Sequence, residues 1–294
     1  MGNLKRGDLV RWNGLFTTIL VCGLIAVSGG SVFAGDRYEL LWPEEGVPFA
    51  PLEDTLLVQS EPPVTVSDGA GGWFVVWALG SGDVYAQHIG SDGSILWDVN
   101  GKFLLVARRP AKVVSDGAGG MIIAWDQRSS ETYYYEVRAQ RFDVNGVAQW
   151  AAGGVFVRDE GDYRGNFSID SDGTGGAIFA IWYDAGFYGC EYLYAQRISS
   201  TGAVMWGAQG VMVNVTSGSE FPPHIGIPRI VSDGMEGAII SYTEEFSEGS
   251  QNSRVEISLV DAGGILQWTN QLGTSDTNVL DPVLISDGDG GAIL

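Results

Sequence analysis

Four things are scarce in this sequence. Of its 294 residues two are cysteine and two are histidine, Pro is held to 10, and Lys plus Arg total 16 against 36 Asp plus Glu, a formal net charge of -20. Each scarcity excludes something. Proteins bind phosphate backbones by replacing counterions with Lys and Arg, so nucleic acid is excluded as a partner. Cys22 lies in an N-terminal leader, which leaves Cys190 as the one thiol of a mature chain and rules out an internal disulfide. No His, Lys or Arg stands beside Cys190 in sequence to lower its pKa, so it reads as an incidental thiol. With only His88 and His224 available, no serine nucleophile can be assigned a base and no His-based metal site assembles. Phosphate and dinucleotide loops are missing too, because the glycines sit in β-turns and not ahead of helices.

What is present is apolar and glycine-rich. The chain is 45% hydrophobic and 11% aromatic, enough for a large core, and its 43 glycines suit many short strands joined by tight turns. No helix is needed anywhere after the leader. Lys5, Arg6 and Arg11 precede an uncharged stretch from Leu15 to Ala34, and Val32-Phe33-Ala34 before Gly35 has the small residues a signal peptidase requires. Residues 1–34 are therefore expected to be a signal peptide, whose removal would carry the net charge to about -22. The alternative is an uncleaved anchor, the one route by which this chain would meet a membrane; glycine and serine at Ser28–Ser31 weaken it. Cys22 follows Val21, where a lipobox requires a small residue.

A short motif recurs through the rest. SDGAGG appears at Ser67–Gly72 and Ser115–Gly120, SDGTGG at Ser171–Gly176, SDGMEG at Ser232–Gly237 and SDGDGG at Ser286–Gly291. The aspartates Asp68, Asp116, Asp172, Asp233 and Asp287 are spaced by 48, 56, 61 and 54 residues, a period that in a strand-forming chain means propeller blades, solenoid coils or an array. One unit reads as an apolar run (Ala111–Val114), the SDG turn, a second run (Met121–Trp125), a polar loop, a third run (Tyr133–Phe142), an Asn145-Gly146 turn and a fourth run (Val147–Trp150). Four such runs make a four-stranded antiparallel meander, the unit of a β-propeller. The expected fold class is all-β: a propeller of about 62–106, 110–157, 165–213 and 228–273, with a partial blade at 281–294. The same Trp-x-x-x-Gly element that follows the third strand of three blades occurs at Trp42–Gly46, which predicts an orphan outer strand at 39–49 within a repeat domain spanning 35–294. The partial last blade leads to the expectation that the chain is a piece of a longer one.

The combination of P-x-V-V-S-D-G-A-G-G, then A-Q-R, then W-x-x-x-G-V-x-V resembles a repeat of secreted bacterial β-propeller proteins, many of them without an assigned function. The resemblance spans about residues 39–294 and implies a fold and an extracellular, periplasmic or cell-surface setting, not an activity. An acidic position after the second strand's Trp matches Asp126 and, one place later, Asp184. Blade four departs from the pattern, with Ser241-Tyr242-Thr243 in the Trp region and Glu256-Ile257-Ser258 for Ala-Gln-Arg.

Each recurring Asp has two readings. In the turn reading its carboxylate accepts backbone N–H groups while the glycines supply positive φ. In the calcium reading it is a hard oxygen ligand, but one carboxylate per loop is thin for Ca²⁺, and only Asp287-Gly288-Asp289 offers two. The turn reading is preferred, and no other cofactor is expected. The meander puts the short SDG and hairpin turns on one face and the long variable loops on the other, where a ligand is to be sought. That second face supplies the candidate binding residues Asp126, Tyr163, Asp184, Phe187, Tyr188, Tyr192, Phe221 and His224: rings to stack on sugars, carboxylates to bind hydroxyls. The expected function is a binding or interaction module for glycans or a surface protein. A polysaccharide-active hydrolase or lyase on the same face and a calcium-stabilised adhesin are the alternatives; too many carboxylates compete for a catalytic pair to be chosen.

Overall fold

The computed structural model describes residues 62–107, 112–128, 135–158, 164–184, 190–216, 223–246, 253–273 and 282–294, all within one compact unit, 48–294. The expected leader and the orphan strand at 39–49 lie outside the described residues. The described residues are all-β, without a helix. The first blade is β1 (Val64–Ser67), β2 (Trp73–Ala78), β3 (Asp83–Ile89) and β4 (Lys102–Val106). The second is β5 (Lys112–Ser115), β6 (Met121–Arg128), β7 (Tyr135–Phe142) and β8 (Val155–Arg158), and the third is β9 (Arg164–Ser171), β10 (Ala177–Asp184), β11 (Glu191–Ile198) and β12 (Val211–Thr216). The fourth holds β13 (His224–Ile225), β14 (Arg229–Ser232), β15 (Ala238–Glu245), β16 (Ser253–Val260) and β17 (Leu266–Gln271), and a fifth begins with β18 (Ile285–Ser286) and β19 (Ala292–Ile293).

Every pairing is antiparallel and runs in chain order, save that β13 and β14 share the same partner, β15. The first strands of successive blades neighbour one another, β1 with β5, β5 with β9, β9 with β14 and β14 with β18. The inner strands thus gather about a common axis and the sheets extend outward from it, the propeller arrangement.

The core lies between blades. Strands buried on both faces need apolar runs, and Met121-Ile122-Ile123-Ala124 supplies one, fully buried. Period-two alternation splits it: Met121 and Ile123 pack towards blade one with Phe74 and Val76, while Ile122 and Ala124 pack towards blade three with Phe167 and Phe179. Blade three repeats this, sending Ile178, Ala180 and Leu193 towards Ile240 and Tyr242 of blade four.

One element differs from the sequence pattern. The run Val147–Trp150 was expected to be the fourth strand; only a single bridge, Phe142 to Ala148, forms there, and the fourth strand β8 follows the tryptophan turn. The cause is Gln140. Its amide donates to Ala151 O (2.9 Å) and accepts from Trp150 N (2.9 Å), pulling the segment into a turn before it can extend. Gly154 at φ +78° then redirects the chain over Ala139, whose carbonyl would lie 2.7 Å from any Cβ at that site. The same geometry holds at Gln87 and Gln196. Blade four lacks the glutamine and lets its outer strand begin at Leu266, with Ser258 Oγ bonded to Thr269 Oγ1 at 2.8 Å.

Candidate functional site

On the turn face the recurring residues are engaged with one another. Asp116 Oδ1 accepts from Ala118 N (2.8 Å) and Gly120 N (2.7 Å), and Oδ2 accepts from Arg141 Nε at 2.9 Å. Asp172 does the same with Thr174, Gly176 and Arg197, and Asp68 with Ala70, Gly72 and His88 Nε2. Asp233 and Asp287 keep the two backbone bonds. Burial raises the Asp68 pKa, but the His88 bond and the two amides outweigh it and hold the group below the ordinary 3.8.

The remaining motif positions join blade to blade. The indole Nε1 of Trp97, Trp150 and Trp206 donates to Val144 O, Ser200 O and Ala262 O of the next blade's hairpin turn, at 3.2, 3.0 and 3.1 Å. Gly202 shows why that turn needs glycine: φ is +84°, and a Cβ would stand 3.0 Å from the Trp150 ring. Blade four places Glu236 at φ +70° where its counterparts have glycine, and Glu236 takes a 2.6 Å ion pair from Arg197 of blade three.

The loop face is built from other chemistry. Between blades three and four, buried Glu191 accepts from Trp182 Nε1 (2.9 Å), from Ile225 N and from His224 Nδ1. His224, with its side chain 55% exposed, meets Trp182 edge-on at 5.5 Å between ring centres. The hydrogen bond to Glu191 raises the His224 pKa above 6.5; burial opposes this, and the charges of Glu191, Glu245 and Asp184 add to it. Beside this group Glu244 is held by Arg254 (Nη2 2.6 Å, Nε 3.0 Å) and by Asn214 of blade three. Burial and the nearby Glu244 push the Glu256 carboxyl up, although Arg254 draws it down.

Between blades two and three, buried Arg158 lies over Tyr194 (3.8 Å) and Tyr183 (4.7 Å) and donates to Gln209 O. Tyr192 stacks on Tyr183 at 5.0 Å, and burial pushes the Tyr183 hydroxyl up to about 12.

Of the candidate residues, Asp184 and His224 come together at the blade three–four seam, Asp184 directly across the ladder from Glu191. Tyr192 lies on the opposite face of the same sheet, in the tyrosine stack. Asp126 belongs to blade two, near Lys112, whose charge it favours. Tyr163, Phe187, Tyr188 and Phe221 lie outside the described residues. Sequence reasoning missed Trp182, Arg158 and Arg254, whose partners come from neighbouring strands or blades. The signal available was a charged residue at the end of an apolar strand, as in Val155-Phe156-Val157-Arg158. Among the described residues no group of three or more His, Cys, Asp or Glu is arranged to hold a metal ion.

No known protein family matches the sequence, and no curated protein resembles it. Similar solved structures include the endo-arabinase of Bacteroides thetaiotaomicron, 12% identical with TM-score 0.39 over 84% of this chain and 90% of its own. Puromycin hydrolase is 12% identical with TM-score 0.43, over 79% of this chain and 36% of its own. A member of the DUF4221 family from Bacteroides vulgatus is 11% identical with TM-score 0.33, over 68% and 64%. None of these similarities carries an activity to this chain.

Proposed function

We propose that this chain is an exported propeller of the bacterial SDG-repeat kind that binds glycans through its variable-loop face. The observation that carries the proposal is the division of labour between the faces. On the turn face the recurring Asp, Gln, Arg, Trp and Gly are engaged by one another, as at Asp116, Gln140, Arg141 and Trp150. The chemistry that does not repeat lies at the other end of the strands, where Trp182 and His224 place aromatic edges beside the carboxylates of Glu191 and Asp184. Rings flanked by hydrogen-bonding carboxylates suit a sugar's apolar face and its hydroxyls. The charged N-terminus followed by Leu15–Ala34 supports export.

The test is a screen of immobilised polysaccharides, then titration calorimetry on His224→Ala, an exposed position whose loss spares the core. Retention on a glycan with affinity lowered about fivefold or more in the variant supports the proposal. Capture of a surface protein with no glycan retained assigns the face to a protein partner and refutes the glycan proposal. Release of reducing ends from a bound polysaccharide turns the module into a hydrolase.

A further inference from the structure

The third blade carries aromatic rings on both faces of its loop-face end. Strand alternation separates them: Trp182 packs with Ala180 and Leu193 towards blade four, while Tyr183 continues Phe179 and Ile181 towards blade two. Tyr192 stands directly across the ladder from Tyr183, and Tyr194 across from Ile181, so three tyrosines share the second face within the last four ladder pairs. Their rings are nearly parallel, with centres 5.0 Å apart for Tyr183 and Tyr192 and 5.8 Å for Tyr183 and Tyr194.

The fold does not require this stack. At the same register blade two has Gln127, Glu136 and Arg138, bonded at 3.5 and 3.4 Å, and blade four has Glu244, Arg254 and Glu256, paired at 2.6 and 2.8 Å. Blade one keeps a single tyrosine there, Tyr85. Polar trios serve two blades at the positions where blade three has rings, so the tyrosines answer to something other than the architecture.

Arg158, buried and reaching across from blade two, fixes the stack. Its guanidinium lies over Tyr194 at 3.8 Å and Tyr183 at 4.7 Å, and Nη2 donates to the Tyr183 hydroxyl at 3.3 Å. Among the described residues no cation covers Tyr192, whose half-buried ring stands beside Val215, its exposed partner on β12. A ring held in place and left partly open binds a sugar's apolar face at little entropic cost.

We infer that Tyr192 and its stack form a second sugar subsite, at the seam of blades two and three, so that the ligand is a polysaccharide chain held at two places and not a terminal sugar. This rests on the glycan function proposed above and deepens it. The two subsites occupy opposite faces of one sheet, where packed layers put side chains about 10 Å apart. One pyranose does not bridge that gap, and a chain of several does.

The test titrates the full chain with cello-, xylo-, manno- and galacto-oligosaccharides, each as a length series from about two to about eight sugars. Tyr192→Ala, Tyr192→Phe and His224→Ala are compared with the parent. The expected result is that the longest oligomers of at least one series bind about tenfold or more tighter than the shortest. Tyr192→Ala erases that gain and leaves the short oligomers as in the parent, Tyr192→Phe keeps it, and His224→Ala weakens every length. Short and long oligomers binding alike in the parent, or a length gain untouched in Tyr192→Ala, overturns the second subsite and leaves the glycan function standing. Equal loss at every length in Tyr192→Ala makes the two seams one site and likewise overturns it. Binding of no oligomer overturns both. Should Tyr192→Ala fail to fold, Tyr192→Glu, which brings in the residue type that blade two carries at Glu136, decides the outcome.

Discussion

An aspartate carboxylate has two oxygens, and in Asp116 they serve different parts of the blade: Oδ1 closes the turn on Ala118 and Gly120, and Oδ2 reaches Arg141, 25 residues on. The first is local chemistry, legible in six letters of sequence, because an Asp followed by two glycines leaves few other ways to satisfy the amides. The second is not, since nothing in SDGAGG names a guanidinium two strands away. Asp116→Asn keeps the turn acceptor and loses the ion pair, at roughly 1–3 kcal/mol, so the melting temperature should fall by roughly 3–10 °C. Asp116→Ala should fall further. Because both oxygens at Asp68, Asp116 and Asp172 are engaged by N–H donors, a chelator should leave the melting temperature of the parent unchanged, and a downward shift would favour the calcium reading. His224 makes a separate prediction. Its folded pKa is raised above 6.5, so its contribution is complete below that value and is lost as pH rises through the folded pKa. Melting temperature should decline between about pH 6 and about pH 8, and the decline should be smaller in His224→Gln.

At the scale of the element, Trp-x-x-x-Gly is a clamp and not a strand. Apolar letters from Val147 to Trp150 look like an extended run because periodicity is blind to a side-chain amide on the preceding strand. The clamp works across blades: Trp150 belongs to blade two and bonds Ser200 of blade three. Trp150→Phe removes the indole donor and some buried ring, and should cost roughly 1–3 kcal/mol. Gly202→Ala, which adds a Cβ 3.0 Å from that ring at φ +84°, should cost a similar roughly 1–3 kcal/mol. Both are read by chemical denaturation. The two effects share one contact, so the double variant should lose less than the sum of the singles. Blade four replaces the Gln clamp with Ser258 and Thr269 and the turn glycine with Glu236, and it still buries Tyr242 and Ile240 completely. Core packing against blade three compensates for the missing motif.

For the molecule as a whole, the repeat made the all-β blade architecture legible, since an approximately 50-residue period of strand-length runs admits few folds. The candidate site was legible only as a face. Variable loop length marks where binding chemistry can sit, but Glu191 meeting Trp182, His224 and Ile225 depends on two blades packing together. Those contacts join residues 9 to 34 positions apart, beyond any local pattern. The central claim is that one face is architecture and the other is for binding. Amide hydrogen exchange with and without a retained oligosaccharide tests it most directly. The account predicts added protection in peptides covering 184–191 and 216–225, with the five SDG turns unchanged. Protection concentrated at Asp68, Asp116, Asp172, Asp233 and Asp287 would contradict it.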